Sequence, residues 1–152
     1  MTDKPTVTHA GMVCFNRAGQ VLICNVKGKP DEWVLPKGHI ESSDAGNDYA
    51  ASREVLEETG IEAFVDCSEP LCVSGFELEI GNGQRIRIWV EWWTGLADKV
   101  AAEGERPSKW VSWGRALKLL TYDDQRQVLK RALAFREAQY GFGDENGSGQ
   151  RT

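Results

Sequence analysis

The feature that most constrains this chain is the run Arg53-Glu54-Val55-Leu56-Glu57-Glu58-Thr59-Gly60-Ile61. On a helix, Glu54 and Glu58 stand i,i+4 and Glu57 follows Glu54 by three, so three carboxylates share one side. Ala51 and Val55, also i,i+4, form an apolar stripe on a different side, with Leu56 beside them. Like charges at this spacing cost helix stability, and a solvated acidic face is the ordinary fate of such a run. A divalent cation is the simplest group to offset that cost, because hard cations take oxygen ligands and complete their shell with water and substrate phosphates. Arg53, four residues before Glu57, can steer a carboxylate through its forked guanidinium. Upstream, Gly38 opens a turn after Pro36-Lys37, and a further acid, Glu41, precedes the helix.

With these residues in place, the segment from Gly38 to Ile61 resembles the Nudix box. The family pattern is Gly, five residues, Glu, seven residues, then Arg-Glu-aliphatic-x-Glu-Glu-x-Gly-aliphatic, and Arg53, Glu54, Val55, Glu57, Glu58, Gly60 and Ile61 match its second half without a gap. The stretch between Gly38 and Arg53 is one residue longer than the family spacing. The box glutamate falls on Asp44 counted from Gly38, or on Ala45 counted back from Arg53. The extra residue is expected among 42–47, where Ser, Asp, Gly and Asn favour turns and helix caps.

At 152 residues the chain is long enough to bury a core, and residues 1–140 read as a single domain with 141–152 a disordered tail. No apolar run approaches the ~20 residues that span a bilayer, and the N-terminus lacks a secretory h-region. The four cysteines form no CxxC pair and read as reduced thiols, which together imply a cytoplasmic protein without a membrane partner. A net charge of −5 argues against non-specific nucleic-acid binding. His9 and His39 have no partner pattern for a zinc site.

Patterning predicts strands over 7–15 and 21–26, a basic loop over 27–31, a short strand over 33–35, the box helix from Asn47 or Asp48 to Thr59 with Gly60 as its stop, and a strand over 63–66. A hairpin over 71–80 and 84–94 turns at Gly81-Asn82-Gly83. Its second strand puts Ile86, Ile88 and Val90 on one face and Arg85, Arg87, Trp89 and Glu91 on the other. A polar loop over 96–108, a strand over 110–113, a short helix over 116–120 and an amphipathic helix to about Tyr140 follow. Mixed strands with these helices indicate an α/β fold, and the resemblance implies the Nudix α/β/α sandwich with a mixed sheet, box helix and C-terminal helix.

The resemblance implies a metal-dependent pyrophosphohydrolase acting on a nucleoside diphosphate derivative or another small-molecule phosphoanhydride, as a monomer or homodimer. Gly38, Glu54, Glu57 and Glu58 would hold Mg²⁺ or Mn²⁺, Arg53 would orient the carboxylates, and Glu41 would stand behind them. Glu103 or Glu105 is expected as general base, and Lys37, Arg85 and Arg87 as substrate contacts. The strings LPKGHIE and TYDDQRQVLKRAL resemble the branch that cleaves dinucleoside polyphosphates such as diadenosine tetraphosphate. The strand around Val13-Cys14-Phe15, with Lys27 and Lys29, also resembles the diphosphoinositol polyphosphate branch, and nucleoside diphosphate sugars and mutagenic nucleoside triphosphates are further alternatives. A non-catalytic nucleotide sensor is the reading of another class, and the retention of all three helix glutamates weighs against it.

Overall fold

The strand over His9–Phe15 (β1) is buried along nearly its whole length, as expected of a strand covered on both faces. In the computed structural model, which describes residues 5–140, it lies at the middle of a mixed sheet. Residues 1–4 and the tail over 141–152 lie outside the described residues. Antiparallel neighbours of β1 are Val21–Val26 (β2) and Lys37–His39 (β4), the latter following the edge strand Lys29–Val34 (β3). After the box helix Asn47–Thr59 (α1) come Ile61–Val65 (β5), Cys72–Ile80 (β6) and Gln84–Val100 (β7). The long β7 runs parallel to β1 and antiparallel to both β5 and β6. Ser108–Val111 (β8) pairs with β2, and helices Trp113–Leu119 (α2) and Asp123–Tyr140 (α3) complete the chain.

Alternation along the central strands builds two cores. Val13, Phe15, Val21, Ile23, Val90 and Trp92 meet Ala116 of α2 and Val128, Leu129 and Ala132 of α3. Ala10, Met12, Cys14 and Leu22 face the other way, onto Ala50, Ala51 and Val55 of α1. The result is the expected α/β/α sandwich, with α1 alone on one face. All four cysteines are free, and burial pushes the Cys14 and Cys24 thiols up to about 12. No described helix is long and apolar enough to cross a membrane.

Four elements differ from the pattern-based expectation. The turn expected at Gly38 is the short strand β4, kept extended by its antiparallel pairing with β1. The basic loop over 27–31 is mostly strand, because β2 turns at Lys27-Gly28 directly into β3, an edge strand that tolerates Pro30. The polar loop expected over 96–108 begins only after Val100. Up to there β7 stays extended because β5 offers it an antiparallel partner, with Asp98 and Lys99 outward and Glu62 within 3.7 Å of Lys99. Trp113 opens α2 rather than ending a strand, since Ser112 caps that helix by accepting the Arg115 N–H at 3.2 Å.

The box helix ends as its sequence requires. Gly60 sits at φ 78° and donates its N–H to Leu56 O, a left-handed stop that a side chain resists. A Cβ there would also collide with Ala102 O. Gly60→Ala is therefore expected to lower unfolding stability by at least about 2 kcal/mol, the scale of one strained left-handed residue plus a clash. Urea denaturation measures it; an unchanged midpoint would show that the stop tolerates a side chain.

Candidate active site

Glu54 and Glu58 lie on the side of α1 that faces the sheet, and they are only 8 % and 5 % exposed. Carboxylates reach such burial only with partners. Gly38 of β4 lies directly against Glu54, where a Cβ would overlap the carboxylate unless that side chain moved. Glu58 Oε1 accepts the Lys37 N–H at 3.3 Å and the Cys24 thiol at 3.7 Å, and its Oε2 meets Arg106 Nη2 at 3.4 Å. Glu57 turns outward, with 44 % of its side chain exposed.

Arg53 ties this face to the preceding loop. Its guanidinium grips Asp44 through two bonds of 2.8 Å, donates to Glu54 at 3.0 Å and Glu57 at 3.1 Å, and reaches His39 O at 2.9 Å. Glu41 stands farther off, 3.8 Å from the same guanidinium and mostly exposed. Asp44 accepts the Glu41 N–H as well, and Arg53 holds its carboxyl below the usual range. Asp44, not Ala45, thus takes the position of the box acid. The extra residue of this loop falls after it, between Asp44 and Arg53.

Desolvation dominates the acid–base character of the two buried glutamates. It raises Glu54 even though Arg53 opposes the shift. Glu58 is pushed up to about 7, by burial first, with Arg106 opposing and Glu54 adding to the shift. Buried carboxylates offer the oxygen donors that hard divalent cations take. Among the described residues no three His, Cys, Asp or Glu side chains are grouped so as to hold a metal ion by themselves.

A cleft of about 510 Å³ opens beside Glu58, lined among others by Lys29, Lys37, Phe76, Arg106 and Tyr122. Lys37 lies 4.7 Å above the Phe76 ring, and desolvation lowers the pKa of its ammonium. Gln125, almost fully buried, accepts the Leu35 N–H at 2.7 Å and fixes the floor. Tyr122 is held by a 2.6 Å bond from its hydroxyl to Glu32.

Not every expected residue reaches this site. Arg85 and Arg87 are solvent-exposed and pair with Glu77 at 3.6 and 3.7 Å. Register puts them opposite Glu79 and Glu77, on the face of the hairpin away from Phe76 and Leu78, so neither lines the cleft. Glu103 and Glu105 sit in a separate shallow depression behind the C-terminal end of α1, with exposed side chains. That loop delivers Arg106 to Glu58 instead. Phe76 and Leu78 were readable from alternation in β6; Arg106 carried no signal, because its placement depends on which backbone donors cap α1.

The fold matches known proteins. A family model described as NUDIX domain matches residues 5–132. The Ap4A hydrolase of C. elegans, solved as a binary complex, superposes with a TM-score of 0.66 at 24 % identity, covering 88 % of this chain and 99 % of that one. The E. coli dihydroneopterin triphosphate pyrophosphohydrolase gives 0.63 at 20 % identity, over 84 % and 97 %. The NUDIX domain of Shewanella oneidensis NrtR, complexed with ADP ribose, gives 0.61 at 20 % identity, over 88 % and 90 %. At these identities the superpositions speak for the fold alone. No curated protein sequence matches the chain. The family match, which spans most of the chain, decides membership: the chain belongs to the NUDIX domain family and is by class a Nudix pyrophosphohydrolase. Nudix enzymes generally use divalent metal ions.

Two outcomes follow from the geometry. Asp44→Asn removes the charge from a bidentate pair and is expected to lower stability by about 2 kcal/mol, read from urea unfolding. The raised pKa of Glu58 means that the folded protein holds this proton better than the unfolded chain, whose ordinary value is 4.5. In EDTA, the stability contributed by protonated Glu58 is complete below pH 4.5 and is lost as pH rises to about 7. Glu58→Gln should flatten that decline in thermal melts; identical slopes in both proteins would contradict a buried, proton-binding Glu58.

Proposed function

We propose that this enzyme hydrolyses the phosphoanhydride chain of a dinucleoside polyphosphate, of the diadenosine tetraphosphate type. The observation that carries the reading is the cleft itself. Three cationic side chains, Lys29, Lys37 and Arg106, line the same cleft as Phe76, Tyr122 and buried Glu58. Cations suit a run of phosphates, and the aromatic rings suit a planar base. The fold-level likeness to the C. elegans Ap4A hydrolase agrees with this choice. A diphosphoinositol polyphosphate is a poorer fit, because Asp124 and Glu58 share the wall and leave few cations for so dense an anion.

Glu54 and Glu58 would hold Mg²⁺ or Mn²⁺, with the Gly38 carbonyl and Glu57 as further ligands. The ion, when bound, would polarise a phosphorus–oxygen bond and lower the pKa of a coordinated water. Arg53, fixed by Asp44, keeps Glu54 and Glu57 in position. The three cleft cations bind and align the phosphates. Glu57 is the carboxylate of the set that remains open to solvent, and it is better placed than Glu103 or Glu105 to accept a proton.

Product release with Mg²⁺ or Mn²⁺ is the direct test, across diadenosine tetraphosphate, ADP-ribose, a nucleoside diphosphate sugar, nucleoside triphosphates and a diphosphoinositol polyphosphate. The dinucleotide should turn over fastest by kcat/KM; preference for another member would replace the substrate, and nucleotide binding with no turnover would favour the sensor reading. Glu58→Gln should reduce kcat by about 10³-fold, the several kcal/mol a positioned divalent cation supplies. Glu57→Gln should reduce it by at least about 10²-fold, while Glu103→Gln and Glu105→Gln stay near wild type. A large loss in either of the latter would return the base to that loop.

A further inference from the structure

The chain between β7 and β8 is bound backbone-first to the end of α1. Ala101 and Ala102 donate their N–H groups to Gly60 O at 2.8 and 3.2 Å, Glu105 donates to Glu57 O at 3.0 Å, and Arg106 donates to Glu58 O at 2.9 Å. These bonds satisfy carbonyls that the helix end leaves unpaired. On the far side, Pro107 O accepts the Asn25 N–H at 3.0 Å, which fixes the segment to β2. Arg106 is therefore rooted on both sides, and its side chain must project along Glu58 into the cleft.

At that point Arg106 differs from Arg53. Arg53 spends its donors on Asp44, Glu54, Glu57 and His39 O, and behaves as a fixed strut. Among the described residues the Arg106 guanidinium makes one long contact, of 3.4 Å to Glu58 Oε2, although it carries five N–H donors. Its side chain lines the cleft and is 27 % exposed. A tether of this kind neutralises a buried carboxylate without locking it.

We infer that Arg106 is an exchangeable counter-cation: it neutralises Glu58 until a divalent ion takes that carboxylate, and the released guanidinium then binds substrate phosphate in the same cleft. The inference rests on the metal reading of Glu54 and Glu58 given above. It assigns Arg106 opposite effects on two ligands. Arg106 competes with the metal and cooperates with the phosphates, whereas a purely structural residue would weaken both on removal.

The test is Mn²⁺ titration by calorimetry at alkaline pH, so that a proton does not replace the missing guanidinium, followed by ADP titration at saturating Mn²⁺. Arg106→Gln should bind Mn²⁺ about tenfold tighter and ADP about tenfold weaker, the scale of one close charge pair. Arg106→Lys, which keeps the charge, should fall between that variant and wild type on both. Arg106→Met, which keeps the aliphatic stem, repeats the measurement should Gln disturb the loop in thermal melts. Mn²⁺ affinity that is unchanged or weaker in the neutral variants would overturn the competition, and unchanged ADP affinity would overturn the transfer. A wild type that binds no Mn²⁺ would instead remove the metal reading beneath both.

Discussion

Two carboxylates held out of water on one face of one helix set the terms for the rest of this molecule. Burying a charge costs several kcal/mol even after relaxation, against a total stability of about 5–15 kcal/mol for a domain. Glu54 and Glu58 are both in that position. The neighbourhood is built from what such groups need: a guanidinium on each, a backbone N–H and a thiol on Glu58, and a glycine directly against the Glu54 carboxylate. The partners reduce the penalty without removing it, since both groups still titrate above their ordinary range. A site whose charges are left under-compensated is one that a cation stabilises on arrival.

The same helix is anchored more firmly at one end than at the other. Its N-terminus has no side-chain cap, only Gly46 in extended conformation, so Arg53 and Asp44 do the work of holding the incoming loop. Its C-terminus is closed by the left-handed Gly60 and by four N–H groups from the segment after β7. Glu57 and Glu58 thus belong to the most constrained turn, which is where ligand geometry has to be accurate. The opposite wall of the cleft is built differently. The β6–β7 hairpin carries Phe76 and Leu78 on its cleft side and leaves Leu78, Ile80 and Ile86 substantially exposed. A rigid helix end facing a partly uncovered apolar ribbon separates the chemistry from the choice of substrate.

Legibility in the sequence followed interaction range. The helix limits, its stop at Gly60 and the hairpin turn at Gly81-Asn82-Gly83 depend on residues a few positions apart, and all were readable. So were the central strands, whose apolar runs imply burial on both faces. The strand content of 29–32 and of 96–100 was not, because polar stretches become strands only when an edge is available to pair with, and sequence does not reveal the edge. Among site residues, the spacing of Glu54, Glu57 and Glu58 put them on one side, but burial of two and exposure of the third came from which way α1 rolls on the sheet. Arg85 and Arg87 alternate as expected; what alternation alone could not supply was which face of the hairpin borders the cleft. Asp44 was ambiguous by counting and becomes unambiguous through its two bonds to Arg53.

That last case bears on how a one-residue change in loop length is absorbed. If the pairing between the box arginine and its acid were a matter of sequence spacing, an inserted residue would misplace the acid, and Ala45 would stand where a carboxylate is needed. Instead the turn from Gly38 to Asp44 keeps its length, and the extra residue lies between Asp44 and Arg53, where the chain can bend before α1 begins. Aspartate is one methylene shorter than glutamate, yet it reaches both nitrogens of the fork at 2.8 Å, because its own backbone is drawn in by the Asp44 N–H to Glu41 O bond of 3.0 Å. The constraint that survives is therefore the three-dimensional one: a forked cation must be held by an acid so that its remaining N–H groups point at Glu54 and Glu57. Any loop that satisfies it is equivalent for the helix, whatever its length.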